Sequence, residues 1–265
     1  MSHIALDLSG KTVLVTGGAG VGVGGGVCQA LHQAGARLVI NDINPDSLER
    51  AGEWYPEATL IAADLENPAD VERMFQDIES EVGPLHGLVN NAGIGLAKVA
   101  HEVSEAEFMH LYGVDVHAVW RVSRHFVQQC LRAGIVGHIV NISSVHAHST
   151  QSSYAIYCSA KNAIIGLTRG MACEIGPHGM RVNAVGPGYV HAEQNYDLIK
   201  NWAEDPEAWV RDFMENQQVL SHEIKAIDIG HLVAFLLSDL ARSITGQNIY
   251  VDNGTTSLLF NRDFV

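Results

Sequence analysis

The chain has few basic residues and no long apolar run. Lysine and arginine number 16 against 30 aspartates and glutamates, which gives a formal net charge of -14. Nucleic-acid binding needs clustered basic side chains, and the sequence contains no such cluster. No window approaches the apolar length of a membrane span, and the N-terminus lacks a basic stretch followed by an apolar one. We therefore predict a soluble, cytoplasmic protein that binds neither nucleic acid nor membrane.

Paired cysteines and metal-ligand motifs are also missing. The four cysteines show no C-x-x-C spacing, and the fourteen histidines include no H-E-x-x-H motif. This spacing favours reduced, structural thiols. His146-Ala147-His148 is the closest approach to a pair of metal ligands, and we expect no metal site there.

The alternation of apolar runs with helical patterns indicates the fold class. With 265 residues, 47% of them hydrophobic, the chain can bury the core of one domain spanning residues 1–265. Few of the strand-like segments alternate between apolar and polar residues. Strands without such alternation are typical of a parallel sheet covered by helices on both faces. We predict an α/β, single-domain doubly wound Rossmann fold with a parallel sheet of about seven strands. Ligands of such sheets bind beyond the carboxyl ends of the strands.

The predicted elements follow from these runs. Strands are predicted at 11–16, 37–42, 59–63, 85–89, 138–143, 181–185 and 247–251. A long helix is predicted from about 152 to 176, and residues 111–116 belong to another helical segment.

A glycine-rich segment, residues 16–26, links the first predicted strand to a helical pattern. Glycine lets the turn close and lets the main chain approach a pyrophosphate, whose charge the helix N-terminus meets. A flexible turn without a ligand is the alternative, and a lone G-x-G-x-x-G would leave it strong. The strand, turn and helix context, with an Asp at the right distance, favours dinucleotide binding.

That Asp is Asp42, which ends the second predicted strand twenty residues beyond Gly22. A carboxylate there accepts hydrogen bonds from the adenosine ribose and repels a 2′-phosphate. Neither Lys nor Arg stands in the glycine-rich segment and Ile43 follows Asp42, so we expect NAD rather than NADP. The alternative is that Asp42 only initiates the turn Asn44-Pro45-Asp46, as Asp often does.

Ser144, Tyr157 and Lys161 carry the strongest chemical signal. Tyr157 and Lys161 lie four residues apart on one predicted helical face, and Ser144 precedes Tyr157 by thirteen residues. An ammonium beside a phenol stabilises the phenolate, so Tyr157 becomes a usable acid or base. Ser144 can then hydrogen-bond the oxygen of an alcohol or ketone. Because a Tyr and a Lys four apart also recur by chance, the surrounding motifs decide.

In their order, the motifs resemble those of the short-chain dehydrogenase/reductase family over nearly the whole chain. They are the loop at 16–26, Asp64, Asn90-Asn91-Ala92-Gly93, Ser144, Tyr157-x-x-x-Lys161, Pro187-Gly188 and Asp252-Asn253-Gly254. The resemblance implies hydride transfer between a carbinol carbon and a nicotinamide, with Tyr157 as acid or base. It also implies that Ser144 stabilises the substrate oxygen and that Lys161 holds the nicotinamide ribose.

The same resemblance implies the remaining cofactor contacts. In that family Asp64 and Leu65 would flank the adenine, Asn91 would support the loop, and Val190 would line the nicotinamide site with Ile142. The full implied set is Gly17, Gly22, Val23, Gly24, Asp42, Asp64, Leu65, Asn91, Ala92, Gly93, Tyr157, Lys161, Pro187, Gly188 and Val190.

Three positions depart from the family pattern. The glycine-rich loop carries one extra residue, so Gly22 and Gly24 fill the last two glycine positions. Asp115 stands where the fourth catalytic residue is commonly Asn, and we expect either a proton relay with an altered pH profile or a purely structural carboxylate. Ala192 replaces the usual Thr after Pro187-Gly188, which removes a hydroxyl that often binds the carboxamide.

The substrate side is predicted from position alone. The resemblance implies a substrate lid at about 191–221 and substrate contacts from His146, His148, Tyr154, Tyr189 and His191, whereas Trp202 and Trp209 more often pack. Several polar side chains ring the expected pocket, so we expect a sugar, polyol or other small hydroxylated alcohol.

Two other functions stay open. A reductase of larger ketones, either steroids or carrier-bound ketoacyl groups, is one, and a non-catalytic NAD(H)-binding sensor or scaffold on the same fold is the other. Family resemblance also implies a homotetramer, or a homodimer, formed through the predicted helices at 112–133 and 152–176.

Overall fold

The computed structural model describes residues 6–190, 199–200 and 203–259 of the chain. Seven parallel strands form one sheet in the order β3-β2-β1-β4-β5-β6-β7. The strands are β1 Thr12–Thr16, β2 Arg37–Asp42, β3 Thr59–Ala62, β4 Gly87–Asn90, β5 His138–Ile142, β6 Arg181–Pro187 and β7 Asn248–Val251. The predicted doubly wound fold of about seven strands is therefore confirmed.

Helices cover both faces of the sheet. In chain order, the helices of the described residues are α1 Val23–Gln33, α2 Pro45–Trp54, α3 Pro68–Glu81, α4 Glu105–Tyr112, α5 Val119–Ala133, α6 Ala155–Ile175, α7 Pro206–Asn216 and α8 Ala226–Leu237. A π-helical turn, Gly113–Ala118, joins α4 to α5. Within these described residues, no helix combines the length and apolar character needed to cross a membrane.

The alternation of side chains along each buried strand divides the core into two layers. Val13 and Val15 of β1 pack with residues of α1 and α8 on one face. Leu14, between them, packs with residues of α3, α5 and α6 on the other face. All five residues of β1 are buried, which explains why the strand is a continuous apolar run without a polar face.

Two element boundaries differ from the sequence prediction in ways that matter for the site. β6 extends through Pro187, which pairs in register with Val251 of β7, instead of ending at 185. The helical pattern from 111 onwards is interrupted by the π-turn, where an α-helix was expected. Pattern alone does not separate the two helix types here, because six residues make little more than one turn, which is too short to show a difference in period.

The direction in which successive strands are added to the sheet reverses between β1 and β4. β1 pairs with β2 on one side and with β4 on the other, so the loops after β1 and β4 leave the sheet side by side. A crevice outside the carboxyl ends at such a point is where doubly wound sheets bind their ligands.

Candidate active site

The glycine-rich loop leads directly from β1 into the N-terminus of α1. Gly22 is the N-cap residue of α1 and no side chain caps it, so the first N-H groups of the helix are left for a ligand. Gly17 has a φ of +59°, a left-handed conformation that favours glycine. A Cβ at Gly24 would collide with the carbonyl oxygen of Gly17 and with the side chain of Asn91, so the close approach here requires glycine.

Asn91 fastens this loop to the end of β4. Its Nδ2 donates to the carbonyl oxygens of Thr16 at 3.0 Å and Gly17 at 2.9 Å. The Thr16 hydroxyl accepts from the main-chain N-H groups of Asn91 and of Ala92 in return. The side chains of Thr16 and Asn91 therefore hold the ends of β1 and β4 together. This is the support of the glycine-rich loop by Asn91 that the sequence led us to expect.

Asp42 contacts both the glycine-rich loop and the turn that follows β2. Its Oδ2 accepts from the N-H of Ala19 at 3.3 Å, and its Oδ1 accepts from the N-H of Asn44 at 3.1 Å. The turn contact of the alternative interpretation is present. The carboxylate is nevertheless partly exposed beside the loop, where a ribose hydroxyl would approach it.

The loop after β3 carries Asp64 and Leu65, the pair expected beside the adenine. Asp64 Oδ1 accepts from the N-H of Glu66 at 2.9 Å, so this carboxylate stabilises its own turn. Leu65 is buried, and Arg121 of α5 donates to its carbonyl oxygen at 2.6 Å. The loop is thereby fixed at the edge of the crevice.

These features fit a dinucleotide. The uncapped helix N-terminus suits a pyrophosphate, the glycines admit its close approach, and the Asp42 carboxylate stands where a diol would bind. No group of three His, Cys, Asp or Glu side chains within the described ranges is arranged to hold a metal ion.

Ser144 follows β5 and begins a short 3₁₀ turn, Val145–Ala147. Its hydroxyl accepts a hydrogen bond from the N-H of His146 at 3.2 Å. Because that contact uses the oxygen as acceptor, the hydroxyl hydrogen is left to donate to a ligand. Ser144 is 7% exposed, so only a molecule inside the crevice could reach it.

Tyr157 and Lys161 lie one helical turn apart near the start of α6. The Lys161 ammonium lies 5.4 Å from the centre of the Tyr157 ring. It is also 2.9 Å from Asp115 Oδ2, and both side chains of this ion pair are almost fully buried. Burial alone would lower the pKa of Lys161, but the charges of Tyr157 and Asp115 and the Asp115 hydrogen bond outweigh it and raise that pKa.

Asp115 reaches this position from the π-turn. Its Oδ1 accepts from the N-H of Ile94 at 2.8 Å, in the loop that follows Ala92 and Gly93. The carboxylate therefore joins three segments: the π-turn, the loop after β4 and α6. The structure brings Asp115 to Lys161 as expected for the fourth position of the predicted catalytic set.

Two of the predicted substrate contacts lie against Tyr157. The His146 ring stacks on Tyr154 with centroids 4.5 Å apart, and its centroid is 5.6 Å from that of Tyr157 in an edge-on arrangement. Burial lowers the pKa of His146, so its ring is neutral at neutral pH. His148, by contrast, lies edge-on to Tyr250 of β7. Tyr250 was not predicted, because its place beside His148 depends on the pairing of β7 with β6.

The segment after β6 connects with α7. Tyr189 forms an aromatic cluster with Trp209 and Phe213, which stack on each other in α7. The predicted packing role of Trp209 agrees with this cluster, and Phe213 was not singled out by the sequence. Val190 is buried and forms an isolated bridge with Ile224.

Some predictions for this segment fall on residues without a described position. The predicted contact His191, the substituted Ala192 and Trp202 lie outside the described residues, as does part of the predicted lid at 191–221. Pro187 ends β6, and the N-H of Gly188 donates to the carbonyl oxygen of Val251 at 2.9 Å.

Comparison with known proteins gives consistent relatives. A family model described as enoyl-(acyl carrier protein) reductase matches residues 18–256. The chain is 34% identical over 249 residues to L-xylulose reductase of Homo sapiens and 32% identical over 249 residues to carbonyl reductase (NADPH) 2 of Sus scrofa, covering 94% of this chain and 98% of each relative. A solved mutant of a short-chain dehydrogenase/reductase from Serratia marcescens is 27% identical, with a TM-score of 0.83, covering 94% of this chain and 99% of that one.

Proposed function

Because this chain belongs to the short-chain dehydrogenase/reductase family, and the relatives that it matches include reductases of carbonyl compounds, we propose that it is an NAD-dependent alcohol dehydrogenase/reductase. Its substrates are secondary alcohols of the sugar, polyol or other small hydroxylated class, and the corresponding ketones. The observation that carries the proposal is the buried Lys161-Asp115 pair beside the Tyr157 ring. Ser144 accepts from the N-H of His146, whose ring lies edge-on to that of Tyr157.

The protein's part in the reaction is to move one proton and to stabilise charge on one oxygen. The nicotinamide cofactor supplies the hydride acceptor for oxidation and the hydride donor for reduction. In oxidation Tyr157 takes the hydroxyl proton as the carbinol C-H bond breaks, and in reduction it returns that proton. Lys161 stabilises the phenolate form of Tyr157, and Ser144 donates its free hydroxyl hydrogen to the substrate oxygen.

Asp115 would keep Lys161 protonated. A buried ammonium without a counter-ion loses its proton more readily, because burial disfavours the charged form. The carboxylate at 2.9 Å offsets that penalty. The same carboxylate makes the pair neutral overall, so the site has less positive charge than it would with an amide at 115.

The preference for NAD rests on the Asp42 carboxylate. It would accept hydrogen bonds from the adenosine ribose and repel a 2′-phosphate, and the loop 17–26 contains neither Lys nor Arg to offset that repulsion. The name of the Sus scrofa relative includes NADPH, so the test of this proposal compares the two cofactors directly.

The substrate class rests on the character of the side chains around Tyr157. His146 and Tyr154 present neutral, hydrogen-bonding aromatic rings, and Lys161 is already neutralised by Asp115. Such a surface suits hydroxyl groups and offers no counter-ion to a carboxylate. The name of the human relative specifies a sugar, L-xylulose, for that protein.

The proposal is tested by NADH formation with purified protein, followed by absorbance. A panel of neutral sugars, polyols and secondary alcohols is run with NAD and with NADP, beside sugar acids of the same chain length. Turnover of neutral compounds with NAD, lost in Tyr157→Phe, supports the proposal. Preference for NADP, or for the acids, contradicts the corresponding part of it.

A reductase of carrier-bound or larger ketones is the second candidate, favoured by the similarity of the chain to a 3-oxoacyl-(acyl-carrier-protein) reductase of Rickettsia conorii, 31% identical over 249 residues. Reduction of a ketoacyl thioester or steroid ketone with NADPH, faster than any reaction of the polyol panel, would support it. If NADH binds but neither set of substrates reacts, the sensor interpretation gains support.

We also propose a homotetramer, with a homodimer as the alternative, assembled through α5 and α6. Trp120 and Leu131 lie on α5 and are 49% and 47% exposed, an apolar surface that association would cover. Light scattering tests this, because a monomer has a mass of 28.6 kDa.

A further inference from the structure

The loop after β3 contacts the segment that carries Asp115 at three points. Glu66 Oε2 lies 2.8 Å from His110 Nδ1 in α4. The other carboxylate oxygen of Glu66 lies where a Cβ of residue 113 would stand, so Gly113 at the start of the π-turn leaves room for it. In α5, Arg121 donates from Nη1 to the carbonyl oxygens of Leu65 at 2.6 Å and Glu66 at 3.3 Å. The loop is therefore attached before, at the start of and after the π-turn.

The π-turn determines where Asp115 points. A π-turn accommodates an extra residue in the helix, and it is rare because its hydrogen bonding is less favourable than that of an α-helix. Conversion of residues 113–118 to α-helix would rotate the side chains on that segment away from their present directions. Asp115 would then lose its contacts with the N-H of Ile94 and the ammonium of Lys161.

We propose that Glu66 is a positioning residue that holds the π-turn, and through it Asp115, in register with Lys161. The inference rests on the function proposed above for that site. It links the loop expected beside the adenine to the catalytic ammonium through contacts that are all present in the structure. Glu66 touches no reacting atom, and its effect on the reaction passes through Asp115.

The charged groups around this network define the pH readout. Glu66 faces His110 of α4, and its loop faces Arg121 of α5. Lys161 faces Tyr157 on its own helix and Asp115 on the π-turn. Because Asp115 raises the pKa of Lys161, displacement of Asp115 lets Lys161 lose its proton at a lower pH. Activity in alcohol oxidation then begins to fall at a lower alkaline pH.

Five variants test the proposal: Glu66→Ala, Gly113→Ala, Asp115→Asn, and the double variants that combine Glu66→Ala with Gly113→Ala or with Asp115→Asn. Glu79→Gln serves as the control, since Glu79 of α3 also forms an ion pair with another element, through Arg132 of α5, and both of these side chains are exposed. We expect Glu66→Ala to lower kcat about fivefold, the size of a coupling between contacting residues, and to move the alkaline limb to lower pH. The control leaves both unchanged.

Non-additivity separates positioning from a general loss of stability. Gly113→Ala alone displaces the Glu66 carboxylate, so it has the same effect on kcat as Glu66→Ala. The variant that combines Glu66→Ala with Gly113→Ala has a kcat no lower than that of Glu66→Ala, because the carboxylate that would collide with the new Cβ is gone. In an Asp115→Asn background, Glu66→Ala changes kcat by less than about twofold, since the carboxylate that it positions is absent. Equal effects of Glu66→Ala in both backgrounds, or a lower melting temperature with an unchanged pH profile, overturn the proposal.

The same shift is measured without a substrate by NADH binding. Fluorescence titration across alkaline pH follows the Lys161 ammonium that is expected to hold the nicotinamide ribose. Binding by Glu66→Ala weakens at a lower pH than binding by the wild type. If the wild type binds NADH but turns over no alcohol, the proposed function fails, while this titration still decides the role of Glu66. If NADH binding weakens at the same alkaline pH in both proteins, that role is rejected.

Discussion

Lys161 and Asp115 form a buried ion pair, with the ammonium 2.9 Å from the Asp115 Oδ2 atom. The pair lies beside the Tyr157 ring, and the other carboxylate oxygen is held by the N-H of Ile94. The motif resemblance described above implies Asn at the position of Asp115. A full negative charge here makes the protonation of Lys161 depend on Asp115 more than an amide would allow.

Asp115→Asn tests that dependence. The charge and hydrogen bond of Asp115 raise the pKa of Lys161 against the effect of burial, so their removal lowers that pKa. A cation with a lower pKa loses its proton at lower pH, so the alkaline limb of the pH profile for alcohol oxidation moves to lower pH. We expect kcat near neutral pH to fall less than about tenfold, because Asn still accepts from Ile94.

The control for this variant is Asp115→Ala, which loses the Ile94 contact as well. It should have a lower kcat than Asp115→Asn and a lower melting temperature. An unchanged alkaline limb in Asp115→Asn would mean that Asp115 is structural only.

Tyr157→Phe removes the group proposed to carry the proton. General acid-base groups contribute about 100-fold to 10,000-fold to rate, so kcat should fall by at least about 100-fold. NADH binding should change little, because the phenylalanine ring keeps the shape of the site. Stopped-flow or steady-state rates, with NADH fluorescence as the folding and binding control, measure both. Retention of more than a tenth of the rate would exclude Tyr157 from proton transfer.

Asp42→Asn tests the basis of cofactor choice. Asn removes the charge but has a single acceptor oxygen, so it can keep the hydrogen bond from the N-H of Ala19 or the one from the N-H of Asn44, and not both. A hydrogen bond to a charged group contributes about 1.5–3 kcal/mol, so the kcat/KM ratio of NAD to NADP should fall at least about tenfold.

A matched control for this change is Asp46→Asn, which removes a carboxylate four residues further on, in the first turn of α2. It should leave the cofactor ratio unchanged. If Asp42→Asn also leaves the ratio unchanged, Asp42 only initiates the turn, as the alternative interpretation holds.

The fold was predictable because its signals are local. A strand buried on both faces is mostly apolar, and β1 and β6 are buried along their whole lengths. The glycine-rich loop was predictable for the same reason, since its strand, turn and helix are consecutive. Even Asp42 is recognised by its distance along the chain.

The π-turn and its contacts depend instead on residues far apart in sequence. Gly113 looks like an ordinary weak point in a helix until the Glu66 carboxylate, from the loop after β3, is seen to fill the space beside it. Asp115 likewise gains its two partners only when the loop after β4 and α6 come together. Tyr250 meets His148 only through the pairing of β7 with β6. A periodic pattern of residues does not predict contacts between segments that are far apart in sequence.

Two histidines at the end of the sheet where the strands begin, opposite the candidate active site, predict how the free energy of unfolding depends on pH. His138 Nδ1 accepts from the N-H of Arg181 at 3.3 Å, and His86 Nδ1 accepts from the N-H of Thr12 at 3.1 Å, so each ring extends the bonding between strand starts. Burial, with the charge of Arg181, lowers the pKa of His138 from 6.5 to about 4. Burial, with the charge of Lys11, also lowers the pKa of His86.

The sign of the effect follows from linkage. A histidine with a lowered folded pKa binds its proton more readily when unfolded, so its contribution is complete above pH 6.5 and is lost as the pH falls towards about 4. At about 1.4 kcal/mol per unit of pKa difference, His138 contributes up to about 3 kcal/mol to the pH dependence of unfolding. Urea unfolding at a series of pH values between these limits measures it.

His138→Asn isolates this contribution from the carboxylates that titrate in the same range. The Asn Oδ1 atom can still accept from the N-H of Arg181, but it does not titrate. The free energy of unfolding of the variant should therefore fall less steeply than that of the wild type between pH 6.5 and 4, with the two curves converging at the acid end. Parallel curves over this interval would show that His138 takes up its proton equally in the folded and unfolded chains, and that its ring does not couple the strand starts to pH.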